Sequence, residues 1–237
     1  MLDFEYVIYF GCILAVFLAL YAQIKVTSTF RKYSDFNTAS RRTGAEIARM
    51  MLDSNGLYDV RIERVGGHLT DHYDPRSRVL RLSEEVYDSS SAAAVGVATH
   101  EAGHAVQHSV GYLPLKVRSA MVPATSFASK FSWIIILLGS LFLTLDPLLG
   151  KYVLLFGIGL FALTTLFQLV TLPCEFNASR RAMSALRDMG FYSKNELTAS
   201  SKVLSAAAFT YVAAMLVSLL QLLRLVVRFL GTNNRRR

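Results

Sequence analysis

Residues 91–111, SAAAVGVATHEAGHAVQHSVG, contain the most informative feature of this chain. Within them, His100, Glu101 and His104 form the H-E-x-x-H pattern. Positions i and i+4 lie on one face of a helix, so both imidazoles can reach one metal ion. Serines before the pattern are good N-cap residues and a glycine after it is a good C-terminal stop. We therefore predict a helix over residues 92–109.

The spacing of these residues also predicts the chemistry of the site. A glutamate between the two histidines lies near the metal without binding it, where it can take a proton from the attacking water and pass it to a leaving amine. Zinc suits such a site because it lowers the pKa of a bound water to about 7 and polarises a carbonyl group. The pattern indicates His100 and His104 as ligands and Glu101 as general base. The alternative is a helix on which all three side chains are merely solvated.

The composition of the chain predicts a membrane protein. The chain has 237 residues, 53% of them hydrophobic, and its mean hydropathy is positive. Four apolar segments are long enough to be predicted spans, and these are residues 6–24, 131–145 (with length available from 121–129), 152–173 and 203–223. A chain this short could not bury four such helices in a soluble core and also fold residues 25–130 separately. We expect a mainly α-helical integral membrane protein with about four transmembrane helices.

These spans divide the chain into five predicted regions. They are a first transmembrane helix (1–24), a catalytic region (25–130), a transmembrane hairpin (131–173), a helix with the third zinc ligand (174–202), and a fourth transmembrane helix with a basic tail (203–237). A short turn at about 146–151 joins the second and third spans, so the chain returns to the side that it left. The two polar regions therefore face the same side and can share a metal site.

A catalytic zinc site needs a third protein ligand and an open fourth position. His108 lies about 12 Å along the helix from His100, so it cannot share the ion, and we expect a solvated or capping histidine. Glu175 is the best candidate, because it follows the third span directly and lies on the predicted side of the motif. The alternative is an interfacial glutamate paired with Arg180 or Arg181.

The region before the motif helix predicts a helix and a small sheet. The helix covers residues 40–53, and the alternating segments 60–65 and 78–83 predict two strands. An exposed edge strand of such a sheet can bind an extended peptide through main-chain hydrogen bonds. The connection between the strands contains four polar side chains, one of which could donate to a tetrahedral oxyanion: His68, Asp71, His72 and Tyr73. The alternative is an ordinary hydrogen-bonded loop.

The distribution of charge predicts the orientation in the membrane. The formal net charge is +8, from 25 basic and 17 acidic residues. Six basic residues follow the first span between Lys25 and Arg49, whereas Asp3 and Glu5 precede it, so the positive-inside rule places the catalytic region in the cytoplasm. The C-terminal arginines do not fit this orientation if the last span crosses the membrane fully, because they would then lie outside the cell. We expect the basic flanks to meet anionic lipid and expect no nucleic acid partner.

Four sequence segments together resemble the bacterial membrane zinc metallopeptidases of the YugP-like type. They are HEAGHAVQ at 100–107, LTDHYDP at 69–75, EFNASR at 175–180 and TGAEIAR at 43–49. The resemblance covers nearly the whole chain. The chain is also similar, more distantly, to the heat-shock membrane proteases of the gluzincin group, which place a membrane hairpin between the histidine helix and a glutamate ligand.

This resemblance implies a zincin-like α+β catalytic region that binds Zn²⁺. It implies His100, His104 and Glu175 as ligands and Glu101 as the general base. The heat-shock relatives have an aspartate four residues after the glutamate, which holds a histidine ligand, and here that position is Ser179. A serine can make the same hydrogen bond, but as a neutral group it raises the basicity of the ligand less.

The expected function is that of a zinc-dependent membrane endopeptidase in a bacterial cell membrane. Its substrates would be peptides or membrane proteins, hydrolysed near the membrane surface. The competing class is a non-enzymatic protein, either a zinc-stabilised membrane scaffold or a partner-binding subunit. Glu101 distinguishes the two classes, because a structural zinc site is closed by four ligands and needs no carboxylate beside them.

Overall fold

The computed structural model describes residues 2–234 and has the mainly α-helical membrane fold with a small sheet that the sequence predicts. The order of elements along the chain is α1 (Leu2–Ser34), α2 (Gly44–Ser54), β1 (Arg61–Val65), β2 (His72–Asp74), β3 (Val79–Ser83), α3 (Glu84–Tyr87), α4 (Ala92–Ser109), α5 (Leu113–Leu145), α6 (Pro147–Asp188) and α7 (Lys194–Asn234). The end of the predicted basic tail, at 235–237, lies outside the described residues.

Four of these helices, α1, α5, α6 and α7, are long and apolar enough to cross a membrane. They continue well beyond the predicted spans, and the predicted boundaries at 24, 130, 173 and 202 all fall inside helices. Pro173, the expected end of the third span, lies within α6. A proline removes one backbone hydrogen bond, but a long helix can continue through it where neighbouring groups satisfy the freed carbonyl. The limits of the five predicted regions stay a prediction.

The turn between α5 and α6 is tighter than the sequence indicated. Only Asp146 separates the two helices. Its carboxylate accepts hydrogen bonds from the backbone N–H groups of Leu148 (3.0 Å) and Leu149 (3.1 Å), which caps the start of α6. Pro147 then occupies the first helical position, where its fixed φ is favourable and no N–H is needed.

The chain divides into two compact units. The helical unit contains the residues up to Tyr21, Val117–Thr171 and the residues from Tyr211 onward. The sheet unit contains Ala22–Lys116 and Leu172–Thr210, so it is built from two separate stretches of chain. Inside the helical unit, α5 and α6 share a cluster of buried apolar side chains: Ile136, Leu154, Ile158 and Phe161.

The sheet has three strands in the order β1-β3-β2. β1 runs parallel to β3, and β2 runs antiparallel to it. β1 and β3 are the two predicted strands, each one residue shorter at its start. The central position of β3 explains its composition, because Val79, Leu80 and Leu82 are all fully buried. β2 was not predicted; it lies in the segment interpreted as a connection.

Helix α4 forms the centre of the sheet unit and covers the predicted residues 92–109. The Ser91 hydroxyl accepts a hydrogen bond from the Ala94 N–H at 3.1 Å, which is the N-cap that the sequence indicated. Helix α2 begins at Gly44 rather than at 40, because Thr43 and Glu46 form a capping box. The apolar faces of both helices pack into the same buried cluster with the sheet.

The start of α7 is fixed to the segment between α1 and α2. Glu196 is only 4% exposed. Its carboxylate accepts from the backbone N–H of Ala39 at 2.5 Å and from that of Ser193 at 2.6 Å. A buried carboxylate with two backbone donors stabilises the contact between these two segments of the chain.

Glycines on α4 allow two other segments of the sheet unit to approach it closely. A Cβ added to Gly103 would lie 2.8 Å from the carbonyl oxygen of Ala178 on α6. A Cβ added to Gly96 would lie 3.3 Å from the Cβ of Ser200 on α7, whose hydroxyl donates to the Ala92 carbonyl at 2.8 Å. The backbones of α4 and α6 therefore come close together at Gly103.

We predict that Gly103→Ala destabilises the protein. The added methyl group must displace backbone atoms of α6, at a cost of about 1–3 kcal/mol that exceeds the gain of about 1 kcal/mol in helix propensity. Thermal unfolding in detergent should show a lower midpoint. Gly159→Ala is the matched control, because no heavy atom lies within 4 Å of its added Cβ. A Gly103→Ala midpoint equal to or above that of Gly159→Ala would contradict the tight approach.

Candidate metal centre

Three side chains converge inside the sheet unit. The Oε2 atom of Glu175 lies 3.2 Å from Nε2 of His100 and 3.6 Å from Nε2 of His104. One ligand atom from each of the three residues lies within 4.8 Å of the others. The structure therefore brings together the three side chains that the sequence suggested as metal ligands.

The convergence follows from the elements that carry these residues. His100 and His104 are one turn apart in the interior of α4, and their rings meet edge to face with centroids 4.9 Å apart. Glu175 belongs to α6, two residues after Pro173 and three residues before Ala178, the contact point of Gly103. The close approach of the two backbones is what allows a short carboxylate side chain to reach both imidazoles.

The three side chains fit a divalent zinc ion by their chemistry and their burial. Glu175 is 2% exposed and His104 is 7% exposed. A carboxylate is strongly disfavoured in such an environment unless a positive charge compensates it. Two imidazole nitrogens and one carboxylate oxygen are a common zinc ligand set. Arg181, proposed as an alternative partner of Glu175, donates instead from Nε to Asn177 Oδ1 at 2.9 Å.

Glu101 is half-buried, on the same helix as the two histidines, and it is not one of the three converging ligands. Burial raises the pKa of its carboxyl group, and the charges of His100 and His104 only partly offset this effect. Burial disfavours the charged form of His104, but the contact with Glu175 and the charge of Glu101 reverse the balance and raise the pKa of that imidazole.

Each histidine makes a hydrogen bond through the nitrogen that faces away from Glu175. His100 Nδ1 lies 3.1 Å from the Ser179 hydroxyl, the residue that the family resemblance suggested. His104 Nδ1 lies 2.9 Å from Gln107 Oε1. The sequence pattern did not single out Gln107, which is fully buried. The available signal was a glutamine three residues after a predicted ligand, on a helix otherwise rich in small apolar residues.

The polar cluster before the motif helix has other partners. His68 pairs with Glu85. The Asp71 carboxylate accepts from the Ser83 N–H at 2.8 Å, and burial raises the pKa of this carboxyl group. His72 is exposed, and its Nδ1 lies 2.8 Å from the carbonyl oxygen of Thr70.

Tyr73 lies on β2 and bonds to the motif helix. Its hydroxyl lies 2.9 Å from Nδ1 of His108, one turn beyond His104. His108 is therefore a half-buried partner of the sheet and not the solvated or capping histidine that we expected. The hydrogen bonds described for His72 and Tyr73 join them to the loop and to His108, and their role at an oxyanion stays a prediction.

A histidine pair on one helix and a carboxylate on a second thus occur together in a chain with four membrane-length helices. The family model described as "Putative neutral zinc metallopeptidase" matches residues 8–230. The protein described as "Putative membrane protease YugP" from Bacillus subtilis (strain 168) is 51% identical over 222 residues, which cover 94% of this chain and 96% of that relative. No solved structure matches the chain. The chain belongs to the YugP-like family of membrane zinc peptidases.

We predict that Glu175→Ala sharply lowers the affinity for zinc, because two histidines alone rarely hold a catalytic zinc ion. Glu175→Asp should keep part of the affinity, since its carboxylate is one methylene shorter. Zinc content after dialysis and competition with a chromophoric chelator would measure both. Glu84→Ala is the matched control, because this glutamate is exposed on the short helix α3. Wild-type affinity in Glu175→Ala would remove Glu175 from the ligand set.

Proposed function

We propose that this protein is a zinc-dependent membrane endopeptidase in which His100, His104 and Glu175 hold the metal. The observation that carries the proposal is the position of one carboxylate oxygen, Glu175 Oε2, against Nε2 of both motif histidines at 3.2 and 3.6 Å. Zinc bound there would activate water as a nucleophile near neutral pH and polarise the carbonyl group of the scissile bond.

Glu101 has the position and chemistry of the general base. It precedes His104 by three residues on α4, and it is the carboxylate of the motif that does not join the three converging side chains. In the proposed reaction, Glu101 takes a proton from the attacking water and returns it to the leaving amine. Its half-buried environment limits competition from bulk water for this proton.

The number of ligands supports an enzyme over a structural zinc protein. The cluster contains three ligand residues, counted over the part of the chain that the structure describes. A structural site is normally closed by four protein ligands, whereas a catalytic site has three and leaves one position for water or substrate. The three-residue cluster has the composition of the catalytic type.

The sheet supplies a surface for an extended peptide. β2 is an edge strand in the order β1-β3-β2, and Tyr73 of β2 bonds to His108 of the motif helix. An extended substrate segment can add to such an edge through main-chain hydrogen bonds, which requires little sequence preference. Glu175 follows Pro173, the predicted end of the third span, so we propose substrates that are membrane-anchored or that unfold beside the bilayer.

We predict that Glu101→Gln retains zinc but loses at least about 10²-fold in the hydrolysis of a casein-like substrate, because the amide cannot accept the proton. Purified protein in detergent would be compared for zinc content and turnover. Glu84→Gln, an exposed position on α3, should match the wild type in both. Near-wild-type turnover in pure Glu101→Gln protein would refute the peptidase proposal. A wild type that binds zinc and cleaves no peptide would favour the scaffold alternative.

We further propose that the metal centre faces the cytoplasm. The basic residues that follow the first predicted span support this orientation by the positive-inside rule. The two polar stretches of the chain, at 25–130 and 174–202, contribute most of the sheet unit, which is one compact unit. A compact unit must lie on one side of the bilayer, so the two stretches share that side.

Cysteine labelling tests this orientation. In a Cys12→Ala/Cys174→Ala background, single cysteines at the exposed positions Ser54 and Asn195 should resist a membrane-impermeant thiol reagent in intact cells and react after lysis. A cysteine at Leu148, which is 65% exposed and lies at the tight turn between α5 and α6, should react in intact cells. Reaction of Ser54→Cys and Asn195→Cys in intact cells would place the centre outside. Reaction of only one of them would show that the two polar stretches do not lie on the same side of the membrane.

A further inference from the structure

We propose that Gln107 is a positioning residue that fixes His104 in the tautomer whose Nε2 is free to bind the metal. This inference rests on the proposed zinc site. It concerns a short chain of hydrogen bonds within the sheet unit, the Arg181 network, which runs from Arg181 through Asn177 and Gln107 to His104. The donor and the acceptor of each hydrogen bond in this network can be assigned in turn, starting from Arg181.

The first bond of the network has a fixed direction because a guanidinium group can only donate. Arg181 Nε lies 2.9 Å from a side-chain amide atom of Asn177. That atom must therefore be the oxygen, Oδ1. Asn177 precedes Arg181 by one helical turn on α6, so the pair is held by the helix itself.

The orientation of the Gln107 amide follows from its two acceptors. One end of the amide lies 3.0 Å from Asn177 Oδ1 and 2.8 Å from the backbone carbonyl oxygen of Cys174. Both neighbours can only accept, so this end is the NH₂ group, Nε2. The other end, Oε1, must then face His104. A flipped amide would bring its oxygen against two acceptors in a fully buried site, which is strongly unfavourable.

The tautomer of His104 is the last consequence. Gln107 Oε1 lies 2.9 Å from Nδ1 of His104 and has no hydrogen to donate. The proton of the neutral imidazole therefore resides on Nδ1, and the lone pair resides on Nε2. Nε2 is the atom that lies 3.6 Å from Glu175 Oε2. Without Gln107, the buried ring could rotate or carry its proton on the ligand nitrogen.

The partner of His100 works differently. The Ser179 hydroxyl can donate or accept, so its bond to His100 Nδ1 does not select a tautomer. Of the two hydrogen-bond partners, Gln107 is therefore the one that selects the tautomer of its histidine. It does so without a charge, whereas a carboxylate in its place would add a buried negative charge near Glu175 and Glu101. The neutral amide orients His104 without adding a charge, so the metal ion would remain the main positive charge that balances those two carboxylates.

The test measures zinc affinity of the full-length protein in detergent. Gln107→Met keeps the size of the side chain but removes its hydrogen bonds, and we expect affinity to fall by about 10- to 100-fold. Thr99→Val is the matched control: Thr99 is fully buried on the same helix, and its hydroxyl donates to the Val95 and Gly96 carbonyls of the preceding turn. Thr99→Val should bind zinc like the wild type.

A second pair of variants tests the direction of the network separately from packing. Asn177→Asp keeps an acceptor for Arg181 and Gln107, so zinc affinity and the visible absorption bands of the cobalt-substituted protein should be retained. Asn177→Leu keeps a branched side chain at this position but removes that acceptor, so the affinity should fall and the cobalt bands should shift, as in Gln107→Met. A role in packing alone would not produce this contrast, since leucine, like aspartate, still fills the place of the asparagine side chain.

The outcomes separate this inference from the zinc site itself. A wild type that binds no zinc would overturn both. If the wild type binds zinc, Glu175→Ala loses it, and Gln107→Met and Asn177→Leu keep wild-type affinity and cobalt spectra, the positioning role is wrong while the zinc site stands. If Gln107→Met does not fold, the Asn177 pair decides by the same criterion.

Discussion

The close approach of α4 to α6 is the constraint on which the proposed metal centre depends. Histidine and glutamate side chains reach only a few ångströms from their backbones, so three of them can meet only where two helices nearly touch. Gly103 permits this contact, because any side chain there would collide with the Ala178 carbonyl. The small residues of α4 are therefore explained by packing distance rather than by helix propensity, which disfavours glycine.

The same contact buries several polar side chains, and each of them needs a hydrogen-bond or charged partner. Glu175, Gln107 and His104 are all buried at this junction, and each has a described partner: Glu175 meets the histidines, and Gln107 joins His104 to α6. In a low-dielectric interior, an unmatched member of such a network would be costly. With every group matched, the network holds the proposed ligand atoms close together, which reduces the ordering that binding of a metal ion would require.

Local signals in the sequence were sufficient for part of this architecture. The limits of α4 followed from Ser91 and the H-E-x-x-H spacing, and Glu175 followed from the turn that returns α6 to the motif side. β2 could not be predicted, because His72–Asp74 is short and polar and is a strand only through its pairing with β3. Gln107 was missed for a related reason. Its burial depends on Cys174 and Asn177, which are distant in sequence.

The sheet unit is discontinuous along the chain, and this has a consequence for biosynthesis. Ala22–Lys116 contains the two histidines, and Leu172–Thr210 contains the carboxylate. The ribosome therefore synthesises the membrane hairpin of α5 and α6 after the two histidines and before the carboxylate. A nascent chain that ends before residue 175 has only two of the three proposed ligands and cannot complete the proposed centre. On the proposed function, proteolytic competence thus appears only after the membrane hairpin has been synthesised. Incomplete chains would then be inert, and a membrane peptidase could not attack its own insertion intermediates.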